Sequence, residues 1–282
     1  MDNFFVMPKL YIWPNQLLLL GATKFKYRPH MTVSDKLMVC LEGEITITLS
    51  EGTQVKTRSC LVKAGNNFEN DYVDASAAVV AIYYLAPLTQ DCPILENQMF
   101  YATDGLFYGH PEEADLITKL LSIRANDVSP ELVYEMLREF VVPTHLSGVV
   151  LTEFDPRVIA VLLRIRATVR ENLTVFDFAK EVHLSESRLE KLFKEQIGIP
   201  ITKYRLRYRV FISILHLALG STVTDAALFA GFSSSAHFSK SFSAINGVPP
   251  SEAFLKPPFM NVYLAEDAAL LVSVSEQNLN YG

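Results

Sequence analysis

The chain has 282 residues, half of them hydrophobic and a fifth charged, with 12 glycines and 14 prolines. That composition supports one large or two ordinary packed domains and excludes disordered, collagen-like and low-complexity chains. The net charge of −6 is uneven: residues 1–154 carry 11 bases and 19 acids, residues 155–258 carry 14 and 9, and the last 24 carry three acids and no base. An acidic segment joined to a basic one points to a nucleic-acid module attached to a domain with another task.

Residues 17–90 read as short strands divided by turn residues. Leu37–Leu41, the connection Glu42-Gly43-Glu44 and Ile45–Leu49 form strand, tight connection, strand. Val55–Val62 and Ala77–Leu85 follow, with Ser50–Thr53 and Ala64–Asn67 as turns. The pattern predicts a small antiparallel barrel or sandwich.

From about Pro111 the period becomes helical. Ala114, Ile117, Leu120 and Leu121 form one apolar stripe, and Leu132, Met136, Leu137 and Phe140 a second. Ser129-Pro130-Glu131 has the cap, first-turn proline and acid of a helix start, and Pro143 ends that helix. Both stripes have two readings: packing against the barrel, or an interface between two copies of the chain.

The back half repeats itself. Val175, Asp177, Ala179, Leu184, Leu189, Lys191, Phe193, Gly198 and Pro200 correspond to Val223, Asp225, Ala227, Phe232, Phe238, Lys240, Phe242, Gly247 and Pro249. One supersecondary unit used twice is the simplest account. In the first, Thr174 caps a short helix, His183-Leu184 turns, Ser185 caps a second helix, and Gly198 ends it. In the second, Thr222 caps, Gly231-Phe232 turns, and Ser233 or Ser234 caps. Each is a helix-turn-helix. Between them Ile201–Leu219 has no glycine or proline and reads as one helix of roughly 28 Å. Equivalent major-groove faces of DNA repeat every ~34 Å, so two recognition helices can enter successive grooves. The bases fall where this arrangement wants them. Lys191 and Lys194 lie on the first recognition helix, Lys240 on the second, Arg205, Arg207 and Arg209 on the connecting helix, and Arg164, Arg166 and Arg170 before the first unit.

At these residues the chain resembles the AraC/XylS family of bacterial transcription regulators. The resemblance covers about residues 155–258. It rests on Ala179, on Ser185-Glu-Ser-Arg-Leu-Glu-Lys-Leu-Phe193-Lys, Gly198 and Tyr204, and on Gly231-Phe232, His237-Phe-Ser-Lys-Ser-Phe242 and Gly247-Val-Pro-Pro-Ser251. It implies base contacts by Ser187, Glu190 and Lys191 on the first recognition helix and by Ser235, Ala236, Ser239 and Lys240 on the second. Leu189, Phe193, Phe238, Phe242 and Gly231 match core and turn positions. Glu186 and Glu190 depart by putting negative charge on the first recognition helix, and Ser243 and Ala244 by standing where relatives often carry lysine. The resemblance also implies a cupin-like N-terminal barrel that senses a ligand or dimerises, and contact with RNA polymerase by an activator.

The expected organisation is therefore α+β: residues 1–105 a cupin-like antiparallel β-barrel, 106–154 a helical linker or dimerisation segment, 155–258 an all-α DNA-binding domain with two helix-turn-helix motifs joined by a long helix, and 259–282 a tail. The tail is apolar enough to pack at Tyr263, Leu264 and Ala268–Val274, with its docking place open. Lys24, Lys26 and Arg28 alternate with Phe25 and Tyr27 and so share one strand face, a candidate site for an anionic ligand.

No enzyme, cofactor or metal is expected. There is no His-x-His, paired-carboxylate or nucleophile motif; only His30 lies near a cupin ligand position, and Lys36 stands where an acidic ligand belongs. Cys40, Cys60 and Cys92 lack metal-ligand spacing, and their odd, sparse count fits a reducing cytoplasm. Met1-Asp-Asn-Phe4 lacks a secretory pattern, and no apolar run of about 18 residues exists to cross a membrane. The expected partners are double-stranded DNA, RNA polymerase, a second copy of the chain, and a small-molecule or protein effector. A cupin-type enzyme with an accessory DNA-binding domain is the outlying alternative.

Overall fold

The computed structural model describes residues 7–27, 32–48, 52–65, 72–103, 106–142, 151–246, 249–255 and 260–277. They form two compact units: one holds the described residues up to Leu151 together with Ser251–Asp267, the other Thr152–Pro250 and the stretch from Ala268 onward.

The first unit begins with β1 (Lys9–Trp13), β2 (Gln16–Tyr27), β3 (Lys36–Glu42), β4 (Ile45–Thr48), β5 (Gln54–Thr57), β6 (Ser59–Val62) and β7 (Tyr72–Tyr84). Then come α1 (Asp91–Gln98), β8 (Tyr101–Thr103), β9 (Leu106–Tyr108), α2 (Glu113–Ala125) and α3 (Pro130–Val141). The second unit holds α4 (Pro156–Ala167), α5 (Val175–Glu181), α6 (Glu186–Ile197), α7 (Ile201–Ala218), α8 (Val223–Phe229) and α9 (Ser235–Asn246). After a wide helical turn at Ser251–Leu255 come β10 (Asn261–Leu264) and α10 (Glu266–Gln277).

The sheet is built around the long strand β7. On one side β2 pairs along its length; on the other, β3 and β4 lie end to end, Lys36 opposite Tyr84 and Thr48 opposite Tyr72. Glu42-Gly43-Glu44 is thus a bend between collinear strands and not a hairpin, with Gly43 supplying the positive φ. The ladders run β10-β1-β2-β7-β3-β6-β9-β8, with β4 and β5 branching from β7. Among the described residues this path does not return on itself, so the expected closed antiparallel barrel is corrected to an open sheet. It is also mixed: β10 runs parallel to β1, from Lys9 opposite Asn261 to Ile12 opposite Leu264. A parallel partner requires a long connection, and here residues 14–260, with β2–β9 and α1–α9, lie between the two strands.

Period-2 alternation sends β3 side chains to two cores. Leu37, Val39 and Leu41 join a cluster with Leu116, Leu120, Val133, Leu137 and Phe140 of α2 and α3. Met38 and Cys40 join Ile47, Cys60, Val80 and Ile82 on the other face. The two helical stripes of 106–142 therefore pack into the N-terminal core, in a register shifted from the sequence reading: Leu116 and Val133 are buried, whereas Leu132 is exposed. Residues 106–108, expected in the linker, form a strand paired with β6.

Alternate side chains of β1 fasten the α2–α3 connection. Lys9 Nζ donates to the carbonyls of Ile123 (3.0 Å) and Asn126, Tyr11 Oη to Val128 (3.2 Å), and Trp13 Nε1 to Pro130 (3.0 Å). The lysine charge thereby sits at the carbonyl end of α2, where the helix dipole favours it. Tyr263 of β10 stacks on Tyr11 at 4.6 Å between ring centroids, and its hydroxyl donates to Asp127 at 2.5 Å.

Candidate nucleic-acid interface

The local chemistry of the second unit makes two similar helix pairs. At α5, Thr174 and Asp177 form a reciprocal capping box, each side chain accepting from the other's N–H (3.3 and 2.7 Å). At α8, Thr222 Oγ1 accepts from Asp225 N–H at 3.1 Å. The turns match as well: Leu184 N–H donates to the Ala179 carbonyl, and Phe232 N–H to that of Ala227, both at 2.9 Å. The left-handed residue of the first turn is His183 (φ 55°) and of the second Gly231 (φ 79°). Ser185 Oγ caps α6 by accepting from Arg188 N–H, and Ser234 Oγ caps α9 by accepting from His237 N–H. Gly198 ends α6 in the left-handed region at φ 82°.

Both pairs are anchored from beneath. Leu189, Phe193, Phe238 and Phe242 are buried, as are Ala179 and Ala227 where the paired helices meet. Ser213 of α7 donates to the Ala226 carbonyl of α8 at 3.2 Å. Gln196 of α6 accepts from the Asp155 N–H and donates to the Glu153 carbonyl, tying α6 to the start of α4. α7 has 18 residues and spans about 27 Å.

The sequence-predicted contacts fall on two helix faces. On α6, Ser187, Lys191 and Lys194 are exposed and Glu190 half-buried, at the i, i+3, i+4, i+7 spacing of one face. Lys191 makes a 3.8 Å ion pair with Glu195 between two exposed side chains, which contributes little and leaves the ammonium open to exchange. On α9, Ala236 and Lys240 are exposed and Ser235 and Ser239 half-buried. Arg188 and His237 are exposed at the starts of the same helices; the sequence reading passed over both, although they stand within the quoted strings.

Arg205 and Arg209 sit differently. Arg205 donates to the carbonyls of Leu173 and Glu171, and Arg209 to those of Val169 (2.9 Å) and Glu171 (3.1 Å) and to Asn172 Oδ1. Burial lowers both guanidinium pKa values. Their donors hold the loop between α4 and α5, a role the sequence reading did not include. Arg166 donates to the Tyr204 hydroxyl and Arg164 pairs with Glu181. Arg170 lies past the end of α4 and is exposed.

Of the candidate ligand residues, Lys24 and Lys26 lie on β2, Lys26 opposite Asp74, but their side chains fall outside the described residues. Arg28 and His30 lie outside them altogether. Lys36 is buried on the β3 face that carries Met38 and Cys40, and burial brings its pKa down to about 7. No group of three or more His, Cys, Asp or Glu among the described residues is arranged to hold a metal ion.

Two capped helix pairs, each with its own buried residues, define a helix-turn-helix protein. The model of a helix-turn-helix domain family matches residues 178–255. ArgR, an HTH-type transcriptional regulator of Pseudomonas aeruginosa, is 31% identical over 150 residues, covering 49% of this chain and 44% of that protein. GbdR of the same species, also an HTH-type transcriptional regulator, is 25% identical over 158 residues, covering 52% and 42%. The matched stretch thus spans less than half the length of these relatives. ToxT from Vibrio cholerae, in a structure bound to an unsaturated fatty acid, shares the fold with a TM-score of 0.55 at 15% identity, covering 86% of this chain and 96% of that one. Residues 178–255 are thus similar to a helix-turn-helix domain family, and the relatives that match this chain are transcriptional regulators.

Proposed function

We propose that the protein is a sequence-specific DNA-binding transcription regulator that reads DNA through both helix pairs, under control of a signal received by the N-terminal unit. The observation that carries this reading is the pair of solvent-facing stripes on α6 and α9, each held by its own cap, turn and buried core. Ser187, Glu190, Lys191 and Lys194 contact one DNA segment, and Ser235, Ala236, Ser239 and Lys240 the next. Serine reads several bases and lysine donates to guanine or phosphate; Glu190 accepts from cytosine. Arg205 and Arg209 act on this surface indirectly, by holding the loop ahead of α5.

The fatty acid in the ToxT structure supports a small-molecule effector, and Lys24, Lys26 and Arg28 supply cationic side chains for an anionic one. Activation through RNA polymerase and action as a homodimer complete the proposal on the family pattern. The alternative control, by a protein partner, differs in one result: purified chain alone does not respond to small molecules.

The test is selection of sites from random duplex DNA by the full chain near physiological salt. The reading expects a motif with two read segments about one helical turn apart. If no motif emerges from either the full chain or residues 155–258, the reading fails.

A further inference from the structure

The N-terminal unit contains a cleft of about 460 Å³ beside the end of β1, lined by α3 and the start of α10. Its volume lies within the usual range for small-ligand sites, about 300–1,000 Å³. Trp13 and Tyr134 form part of the wall, their ring centroids 5.7 Å apart and their planes at 46°. Glu131 and Glu135 of α3 and Glu266 and Asp267 of α10 line the rest, all four exposed, and no basic side chain lines it. Among the described residues none of these four carboxylates makes an ion pair.

Helix dipoles favour acids in a first turn, which accounts for Glu131, Glu266 and Asp267. Glu135 stands a turn further along α3, four residues from Glu131, where like charges on one helix face oppose each other. The cleft is thus a place where negative charge is gathered and not neutralised.

A second observation concerns Gln16. Its side chain lines the cleft and is 5% exposed, yet its amide makes no hydrogen bond among the described residues. The amide is not among the fully enclosed polar atoms, so the small part of Gln16 that remains accessible opens to the cleft. A ligand with an N–H group meets the Oε1 acceptor at the spot where the surrounding charge calls for a cation.

We propose that this cleft binds a small organic cation carrying N–H groups, of the alkyl-polyamine or guanidinium class. The carboxylates are not grouped to hold a metal ion, so charge spread over a molecule fits better than a point charge. A quaternary ammonium satisfies the carboxylates and the aromatic wall but has no proton to give Gln16.

The test uses the full chain without DNA, so its outcome is separate from that of site selection. Thermal unfolding and calorimetry are run with agmatine, spermidine, tetramethylammonium and sodium chloride at matched ionic strength. Agmatine or spermidine raises the midpoint saturably at millimolar concentration, and the other two do not. Glu131→Gln with Glu135→Gln weakens binding about tenfold or more and leaves the midpoint of the free protein nearly unchanged, the lost first-turn acid offsetting the relieved like-charge pair. Gln16→Leu weakens agmatine several-fold. A control pair outside the cleft, Glu112→Gln with Glu153→Gln, binds as the parent does. Equal response to sodium chloride, equal loss in the control pair, or no saturable binding of either cation overturns the proposal.

Discussion

A β-carbon placed on Gly231 would lie 2.7 Å from the carbonyl oxygen of Val169 and 2.8 Å from Arg170 Cα. Both obstacles are backbone and cannot swing aside. With φ at 79°, Gly231→Ala meets strain and collision together. We expect a loss of about 2–4 kcal/mol in urea denaturation of the second unit. The corresponding residue His183 has an exposed side chain and φ 55°. His183→Gly removes the left-handed cost and is expected to be neutral or stabilising by up to about 1 kcal/mol.

Arginines and lysines in the second unit separate by what they hold. Arg209→Ala removes three donated hydrogen bonds and is expected to lower stability by about 2 kcal/mol, with DNA binding falling because the loop ahead of α5 is loosened. Lys191→Ala and Lys240→Ala leave the denaturation midpoint within about 0.5 kcal/mol, as surface changes do. Each weakens one DNA segment by about 1–3 kcal/mol where the contact is base-specific. Denaturation and binding curves on the same preparations distinguish the two classes.

Tyr263 tests the docking of β10. Tyr263→Ala removes the stack on Tyr11 and the bond to Asp127 and is expected to cost about 1–2 kcal/mol; Tyr263→Phe keeps the stack and costs less than about 1 kcal/mol. Trp13, the only tryptophan of the chain, lies 6.0 Å from Tyr11. Its fluorescence therefore reports this edge of the first unit directly.

Two buried bases set the pH dependence. Burial holds His110 down to about 4, and its Nδ1 accepts the Glu112 N–H at 3.1 Å, a bond a proton there would break. The unfolded imidazole titrates near 6.5, so stability is complete above that pH and declines toward pH 4. The decline is on the order of 1 kcal/mol per unit from this group. Lys36, held at about 7, adds a rise in stability from pH 7 upward until unfolded thiols ionise, since burial keeps Cys60 protonated up to about 12. Denaturation at pH 4.5, 6 and 7.5 checks the sign; His110→Gln flattens the acid side and Lys36→Met the neutral side.

The second unit was largely legible because its signals are local. Thr174, Ser185 and Thr222 cap where their spacing predicts, and the repeat makes each half corroborate the other. The first unit was legible as strands but not as a sheet. Nothing near Lys9-Leu-Tyr-Ile-Trp13 announces that three alternating side chains reach carbonyls 114 to 117 residues away. Pairing of β1 with β10 is more distant still, and α1, β8 and β9 are too short to carry a period. The same limit hid the roles of Arg205 and Arg209: a guanidinium bonded to carbonyls and one facing solvent look alike in sequence. The acidic cleft draws on residues from 13 to 267 and has no motif.

The parallel pairing of β10 with β1 also sets an order of synthesis. Domains generally fold from the amino terminus as the chain emerges, but here Lys9–Ile12 must wait for Asn261–Leu264. Until then one edge of the first sheet presents unpaired backbone groups, the kind of edge that recruits other chains. A ribosome stalled after Pro250 would hold the whole helix-turn-helix region and a first unit still missing its last strand.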